Sequence, residues 1–598
     1  MDSAVDYVRN YYEDTQSLYT VTALIVTPLS LFALKKIVPI ATSRSRSQSK
    51  IDGSKILSGI LVALIIVLNL NVWYYLVNSM IDSHNIYRSV SGPSFNLLNS
   101  PISEKIVSLD YSDVKIPGYS FIEKGIDEIE NFKCGDVRFH DDHGVKASKP
   151  HSLDQKRDMK IIRDKALIIN GTGEYPIIRK CFLDKAWEKE DVIVKKKWYK
   201  FAGSSTWLDK YQVFFLVSRV AYSHRSLRNK ATISILYAQV FNKNWEEILD
   251  YQFPQSDIVF PAILPVNLDE NPWGDNAFLG ADDPRVMLRN YNDTTSGTQE
   301  QEPVIIFNTY RADLGWKRAI HVYRPLTNVK EAIPMRLVGM EPRQREKNWA
   351  PFFDEDASSI NFVYSLNPLR IVKCDFNNGA CNKISGDDFE EDDARPLRGG
   401  TNVVRIPASF LPKHLAEKRE YWFGIARSHD HKCGCIERIY RPHSFVISKA
   451  YKTDNYTMDY VSSFVDFNIN TMAWNPALEK AKCTDSKSVL IPNSIAYWDV
   501  ITTKDKNGKD QLEDIMGVTY SEADINNRLI HVKGFLQHVA KIFSGQKETV
   551  VNHYAQVETA REENNLLSNC ATSLAQEYCK SAEKKFKWGY DKNGKMST

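Results

Sequence analysis

Apolar residues are distributed in two ways along this chain. Near the N-terminus, Ile56–Ile81 is a run of 26 residues without a charge, with Leu61-Val62-Ala63-Leu64-Ile65-Ile66-Val67-Leu68 at its centre. At 1.5 Å per residue a helix of this length crosses a bilayer core, so a transmembrane helix is predicted over 56–81. An earlier uncharged run, Thr15–Leu34, is interrupted by Pro28 and several threonines and is a weaker candidate span. Beyond residue 195 the apolar runs are short. Val213–Val220, Ile233–Phe241, Val304–Tyr310, Ala319–Tyr323, Asn361–Ser365, Arg370–Lys373, Tyr421–Ala426, Ser444–Ala450, Ser488–Pro492 and Met516–Ser521 are rich in Val, Ile, Tyr and Phe. Gly, Pro, Asn and Asp clusters separate them. That is the pattern of antiparallel strands joined by hairpins. No long run of helical period interrupts it until about Leu529.

These patterns divide the chain into an N-terminal region (1–55, with the first candidate span at 15–34), the span 56–81, a stem of mixed short elements (82–194), a β domain (195–540) and a helical C-terminal extension (541–598). Many strands without intervening helices favour a sandwich, barrel or propeller, and the length favours a propeller. An acidic stretch, Asp387–Asp393, breaks the strand pattern and reads as a solvated loop.

Charge sets the sidedness. Lys35, Lys36, Arg44, Arg46, Lys50 and Lys55 precede the long run, against Asp52 alone. The positive-inside rule leaves this segment in the cytosol and places the large domain across the membrane. The expected partner there is a lipid bilayer and the expected address a secretory-pathway membrane. All nine cysteines lie beyond the span, as an oxidising lumen permits. Cys374 and Cys381 flank the turn Asn377-Asn378-Gly379, which lets them face across a hairpin, and Cys570 and Cys579 are a candidate staple for a C-terminal helical segment. The tripeptides at Asn170, Asn292 and Asn455 are N-glycosylation acceptors. Net charge of +3 and a pI near 8.1 offer no reason to expect nucleic acid. Nothing in the sequence sets an oligomeric state.

The string with the most chemistry is Leu279-Gly280-Ala281-Asp282-Asp283-Pro284-Arg285. Carboxylates accept hydrogen bonds from sugar hydroxyls, and a nearby arginine keeps a carboxylate ionised. The plain alternative is a turn with an internal ion pair. Further strings place cations and aromatics beside Gly or Pro at strand ends. These are Lys347-Asn348-Trp349-Ala350-Pro351-Phe352, Phe362–Arg370, Leu397-Arg398-Gly399-Gly400-Thr401-Asn402, Tyr440-Arg441-Pro442 and Val489–Ser494. Trp349 and Tyr364 offer faces to a sugar ring, while Arg and Lys suit phosphate. Asp354-Glu355-Asp356 has the Asp-x-Asp spacing some nucleotide-sugar transferases use with Mn²⁺, but its place in an acidic loop favours a plain loop. Cys433-Gly434-Cys435 with His429, His431 and Cys483 has one residue too few between its cysteines for an ordinary zinc pair.

In this order, and together with Lys197-Trp198, Gly203-Ser204-Ser205, Gln239–Trp245 and Tyr520–Asp524, these strings resemble the fungal β-mannosyltransferase family over most of residues 195–540. The Asp-Pro-Arg context is also similar to β-mannoside phosphorylases. The resemblance implies a mostly β fold, a five-bladed β-propeller with its site on the axis. It implies transfer of mannose from GDP-α-mannose to a mannoside acceptor in β-1,2 linkage, for mannan or glycoprotein glycans, in a Golgi-type membrane. The acid/base residue it implies is Asp283, with Asp282 where relatives usually have Glu. Arg285, Lys347, Arg370 and Arg398 are then candidates for the diphosphate, and Trp349 and Tyr364 for sugar stacking. No cofactor is implied beyond the donor. The rivals are a β-mannoside phosphorylase or hydrolase on the same fold, and a non-catalytic carbohydrate-binding propeller.

Overall fold

A strand covered on both faces needs apolar side chains at nearly every position, and Val213–Tyr222 is built that way apart from Ser218 and Arg219. Its odd positions Val213, Phe215 and Val217 enter one core and its even positions Phe214 and Leu216 another. The first core holds Val286, Ile305 and Phe307, and the second Tyr497, Ile501 and Ile515. A sheet with a neighbour on each face is a propeller blade. The protein, seen in a computed structural model, has five.

The structure describes residues 100–120, 133–135, 138–139, 144–169, 187–226, 231–266, 280–292, 297–327, 331–355, 357–386, 389, 397–433, 436–451, 455–465, 467–469, 487–504, 510–544 and 566–577. The runs 15–34 and 56–81 and the acceptor Asn170 lie outside these. Among the described residues no helix is long and apolar enough to cross a membrane.

Blade 1 runs outward from Trp198–Leu208 through Val213–Tyr222 and Ile233–Phe241 to Ala262–Ile263. Blade 2 follows with Asp282–Asn292, Gln299–Arg311, Lys317–Tyr323 and Ile333–Pro334. Blade 3 is Ala350–Phe352, Ile360–Leu366, Leu369–Cys374 and Ala380–Ser385, with Arg336–Leu337 added in parallel at its outer edge. In blade 4, Leu397–Arg398 and Val404–Arg405 both pair with Arg419–Cys433, followed by Ile436–Ala450 and Tyr456–Ser462. Blade 5 is Lys487–Lys504, Asp510–Glu522 and Arg528–Lys533. A short parallel pairing of Arg438–Tyr440 with Lys487–Val489 joins the last two into one sheet.

The strands expected around residues 213–521 all lie in the blades. Two departures stand out. The region expected to turn helical near Leu529 is the strand Arg528–Lys533, and the helix begins only at Phe535. Residues read as a stem supply strands to the propeller. Gly118–Ser120 extends blade 4, while Tyr111–Val114, Val145–Ser148 and His151–Ser152 extend blade 5. Pairing early strands with late ones covers what would be the open outer edges of blades 4 and 5.

The innermost strands meet through small polar side chains. Val286 N donates to Ser204 Oγ (2.7 Å), Ser205 N to Ser494 Oγ (2.8 Å) and Ile495 N to Asn402 Oδ1 (2.9 Å). Val403 N donates to Pro351 O (2.9 Å). The Gly-Ser-Ser, Gly-Gly-Thr-Asn and Pro-Asn-Ser strings are therefore the joints of the axis. Backbones approach closely there, and a Cβ on Gly400 would lie 2.3 Å from Ile425 O.

Among the described residues, two disulfides bind the fold. Cys374–Cys381 bridges the expected hairpin, with Cα atoms 4.0 Å apart. Cys570 pairs with Cys134, 436 residues away, in place of the expected Cys579, which lies outside the described residues. The helix over 566–577 is thereby tied to the early strands, with Leu567 and Ala571 buried against Tyr119, Phe445 and Val461.

Candidate active site

The Asp-Asp-Pro-Arg string opens the first strand of blade 2, where the pairing slips. Asp282 faces Asn308 and Arg285 faces Ile306, so two residues oppose one. Asp283 takes φ +51°, the left-handed region that Asp tolerates better than most side chains. A bulge with a left-handed residue re-aims side chains. Consecutive carboxylates thus point to different places.

Asp282 is buried. One carboxylate oxygen lies 2.6 Å from Arg219 Nη2, the other accepts from Arg318 Nη1 at 2.5 Å, and the backbone carbonyl accepts from Asn308 Nδ2 at 3.2 Å. Expected to orient sugar, it is instead spent on two guanidinium groups. Arg318 also donates to Asn308 Oδ1 and lies over the Tyr310 ring at 4.5 Å. Burial would lower its pKa, but Asp282 outweighs this and raises it.

Asp283 lines a narrow cleft with Arg285, Asn308, Asn348, Trp349 and Gly400. Its side chain keeps 34% of its surface open, against 5% for Asp282. Arg219 Nη1 donates to its Oδ1 at 3.2 Å. Burial alone would raise this carboxyl. The charges of Arg219, Arg427, Arg285 and Lys347 prevail and hold it well below the usual carboxylate range.

The cations come from four places. Arg285 is buried and donates to Gly400 O and, at 2.8 Å, to Pro284 O, which joins blade 2 to blade 4 across the axis. Burial, then Arg427, lowers its pKa. Arg427 is buried and donates to Asn348 Oδ1 at 2.5 Å. Its Nε finds no hydrogen-bond partner among the described residues. Arg398 sits directly opposite it in the sheet, and its pKa is lowered by burial and then by Arg427. Like charges facing across strands repel, so this pair is a place an anion would stabilise. Lys347 is exposed as a whole residue. Its ammonium nevertheless stands among protein walls and like charges. Enclosure pushes it down to about 8, with Asp283 opposing and Arg427, Arg318 and Arg398 adding to the fall.

Of the remaining predicted residues, one lines the cleft and the others do not. Trp349 lines the cavity, and its indole nitrogen donates to Glu346 at 3.2 Å. Tyr364 packs on Trp349 with ring centroids 5.0 Å apart and donates to Glu346 at 3.1 Å, so it backs the tryptophan and does not line the cavity. Arg370 is fully buried in blade 3, its guanidinium 5.8 Å from the Phe389 ring, and does not line the cavity either. Asp354 lies 3.4 Å from both Lys373 and Lys449 and accepts from Tyr456 at 3.3 Å. Asp356 is outside the described residues. His429 stacks on Tyr440 at 4.5 Å. Among the described residues no cluster of His, Cys, Asp or Glu could hold a metal ion. Asn292 is exposed at a strand end and Asn455 is partly buried.

Arg219, Arg318 and Arg427 carried no signal in the sequence. Arg219 follows Ser218 in an otherwise apolar strand, Arg318 follows Lys317 at a strand start, and Arg427 precedes Ser428, His429 and Asp430, so each looks like an edge residue. Only a charge at an otherwise buried strand position hinted at them.

The arrangement is one ionised carboxylate on a cavity wall, ringed by cations that are incompletely neutralised. It suits a hydroxyl to be deprotonated beside an anionic leaving group. The chain was compared with known proteins on this basis. The family model for β-mannosyltransferases matches residues 133–322 and 324–578. Beta-mannosyltransferase 3 of Candida albicans is 41% identical over 587 residues, covering 97% of this chain and 99% of the relative. Beta-mannosyltransferase 4 of Komagataella phaffii is 29% identical over 486 residues, covering 80% and 86%. The chain therefore belongs to the β-mannosyltransferase family of glycosyltransferases.

Proposed function

We propose that the enzyme transfers mannose from GDP-α-mannose to a mannoside acceptor in β-1,2 linkage, with inversion. The observation that carries this is Asp283, an accessible carboxylate that lines one cleft with Arg285 and lies within the charge of Arg219, Arg427 and Lys347. Making a β bond from an α donor takes one in-line displacement. The acceptor O–H gives its proton to Asp283 while its oxygen bonds to the anomeric carbon. The bond from that carbon to the phosphate oxygen breaks, and the electron pair leaves with GDP. Arg427, Arg398, Lys347 and Arg285 stabilise the diphosphate charge, and Trp349 offers a sugar its indole edge or face. In this reading these cations answer the leaving-group charge without a metal.

The same cations explain how a weak base becomes a working one. Before the donor arrives, Arg219, Arg427, Arg285 and Lys347 hold Asp283 too acidic to accept a proton readily. An incoming diphosphate neutralises them, and the carboxyl rises toward the range where proton transfer is efficient. Donor binding then precedes deprotonation of the acceptor. The two disulfides support an oxidising compartment, and with the basic segment before residue 56 they support a lumenal catalytic domain anchored in a secretory-pathway membrane.

Asp283→Asn is the test. With GDP-mannose and short α- and β-mannosides, transfer should fall by about 10²- to 10⁴-fold at unchanged melting temperature. NMR of the wild-type product should show a new β linkage at O-2. Full activity in the variant removes Asp283 from the role. Mannose 1-phosphate released from mannobiose and phosphate, with no use of GDP-mannose, would replace transfer by phosphorolysis.

A further inference from the structure

Arg219 lies in the second strand of blade 1, holds the third strand of that blade with one nitrogen and reaches the first strand of blade 2 with the other two. Its Nε donates to Ser234 Oγ at 2.9 Å, its Nη1 to Asp283 Oδ1 at 3.2 Å, and its Nη2 lies 2.6 Å from Asp282 Oδ1. Ser234 in turn donates to Ala281 O at 2.6 Å, which pins the backbone just ahead of the two carboxylates. The Phe201 ring is 5.1 Å from the guanidinium. On the far side, Arg318 holds the other oxygen of Asp282. The result is an alternating row, Arg318–Asp282–Arg219–Asp283, with three members buried or nearly so and the last open to the cavity.

We propose that Arg219 is the positioning residue of the reaction, a planar clamp that fixes the Asp283 carboxylate by tying it to the buried Asp282. The inference rests on Asp283 as the base. Asp283 follows a left-handed bulge residue's geometry, and nothing in a strand ladder sets its rotamer. A guanidinium with several donors in one plane sets it, and a single-point ammonium does not. Arg219 engages Oδ1, which assigns proton uptake to Oδ2. Asp282 then acts through Arg219: it anchors the clamp and cancels part of its charge. The groups facing Asp283 from elsewhere are Arg285 in the same strand, Arg427 in blade 4 and Lys347 ahead of blade 3.

Full-length Arg219→Lys and Arg219→Ala are compared with the wild type and with Asp283→Asn. Misplacing a reacting group by about 1 Å costs about 10²-fold, so kcat should fall about 10- to 100-fold in Arg219→Lys and further in Arg219→Ala. The KM for GDP-mannose should stay within about threefold. The acid limb of the pH profile should move to higher pH in Arg219→Ala, because one cation facing the base is gone. Added guanidinium ion should restore part of the Arg219→Ala rate, and leave Asp283→Asn inactive. A wild-type kcat in Arg219→Ala overturns the inference, as does a raised donor KM at unchanged kcat. A loss with no rescue and an unmoved acid limb, at native melting temperature, overturns it too. If Arg219→Ala does not fold, the kcat and KM of Arg219→Lys decide the question. Activity in Asp283→Asn would instead overturn the reading beneath it.

Discussion

Lys347 and Arg427 bring positive charge to one carboxylate, but only the lysine can lose it near neutral pH. Enclosure among like charges puts the Lys347 ammonium at about 8. It is charged below that pH and neutral above. For the free enzyme, kcat/KM for the donor should therefore decline as pH rises through about 8, and Lys347→Arg should move that limb upward, since a guanidinium keeps its proton. A limb that stays in place in the variant assigns it to another group. Asp283 was legible in the sequence because its neighbours Asp282, Pro284 and Arg285 make a rare string. Its partners were not. Arg219 is 64 residues away, on a strand that is apolar apart from Ser218 beside it. Trp349 and Tyr364 looked alike as aromatic platforms, and only packing separates the one on the wall from the one behind it.

Strands buried on both faces announced themselves, and strands on the axis did not. Ile233–Phe241 is apolar nearly throughout because blade 2 covers one side and the helix Asp158–Ile169 the other. Trp198–Leu208 and Asp282–Asn292 carry Ser, Thr, Asp and Arg because they face the axis, and so lack the signature of a strand. At the outer rim, Asp514 shows what burial does to an acid at an element boundary. It accepts from Trp498 Nε1 at 2.9 Å and from Leu536 N at 3.1 Å, at the start of the helix Phe535–Ser544. Burial raises its carboxyl to about 6 in spite of these bonds. A raised acid favours folding fully below its unfolded pKa near 4, and that contribution fades as pH climbs through 6. The loss amounts to at most about 3 kcal/mol. Denaturant unfolding at pH 4.5 and 7 should show it, and Asp514→Asn should remove part of the slope. Asp459, buried and raised to about 6 against the pull of Arg419, would keep the rest. An identical slope in the variant would rule out Asp514 as a contributor.

Closure belongs to the molecule as a whole. Strands from residues 111–152 cover the outer edges of blades 4 and 5, and Cys134–Cys570 joins positions 436 residues apart. A crosslink over so long a loop restricts the unfolded chain strongly. Replacing both cysteines with serine should cost about 2–4 kcal/mol in denaturant unfolding while leaving kcat near wild type, because the bond is remote from Asp283. A large loss of kcat at full stability would mean that closure shapes the cavity. By itself the sequence determined the class of fold, the family and the one string that carries the carboxylate. Those properties are written in neighbouring residues: apolar runs of strand length, turn clusters between them, and motifs a few positions long. Which cations meet that carboxylate, which aspartate of the pair is spent on structure, and which cysteine finds Cys570 were decided only in three dimensions. A propeller brings its blades together at an axis, so each of these partners is near in space while remote along the chain, and no local pattern records the meeting.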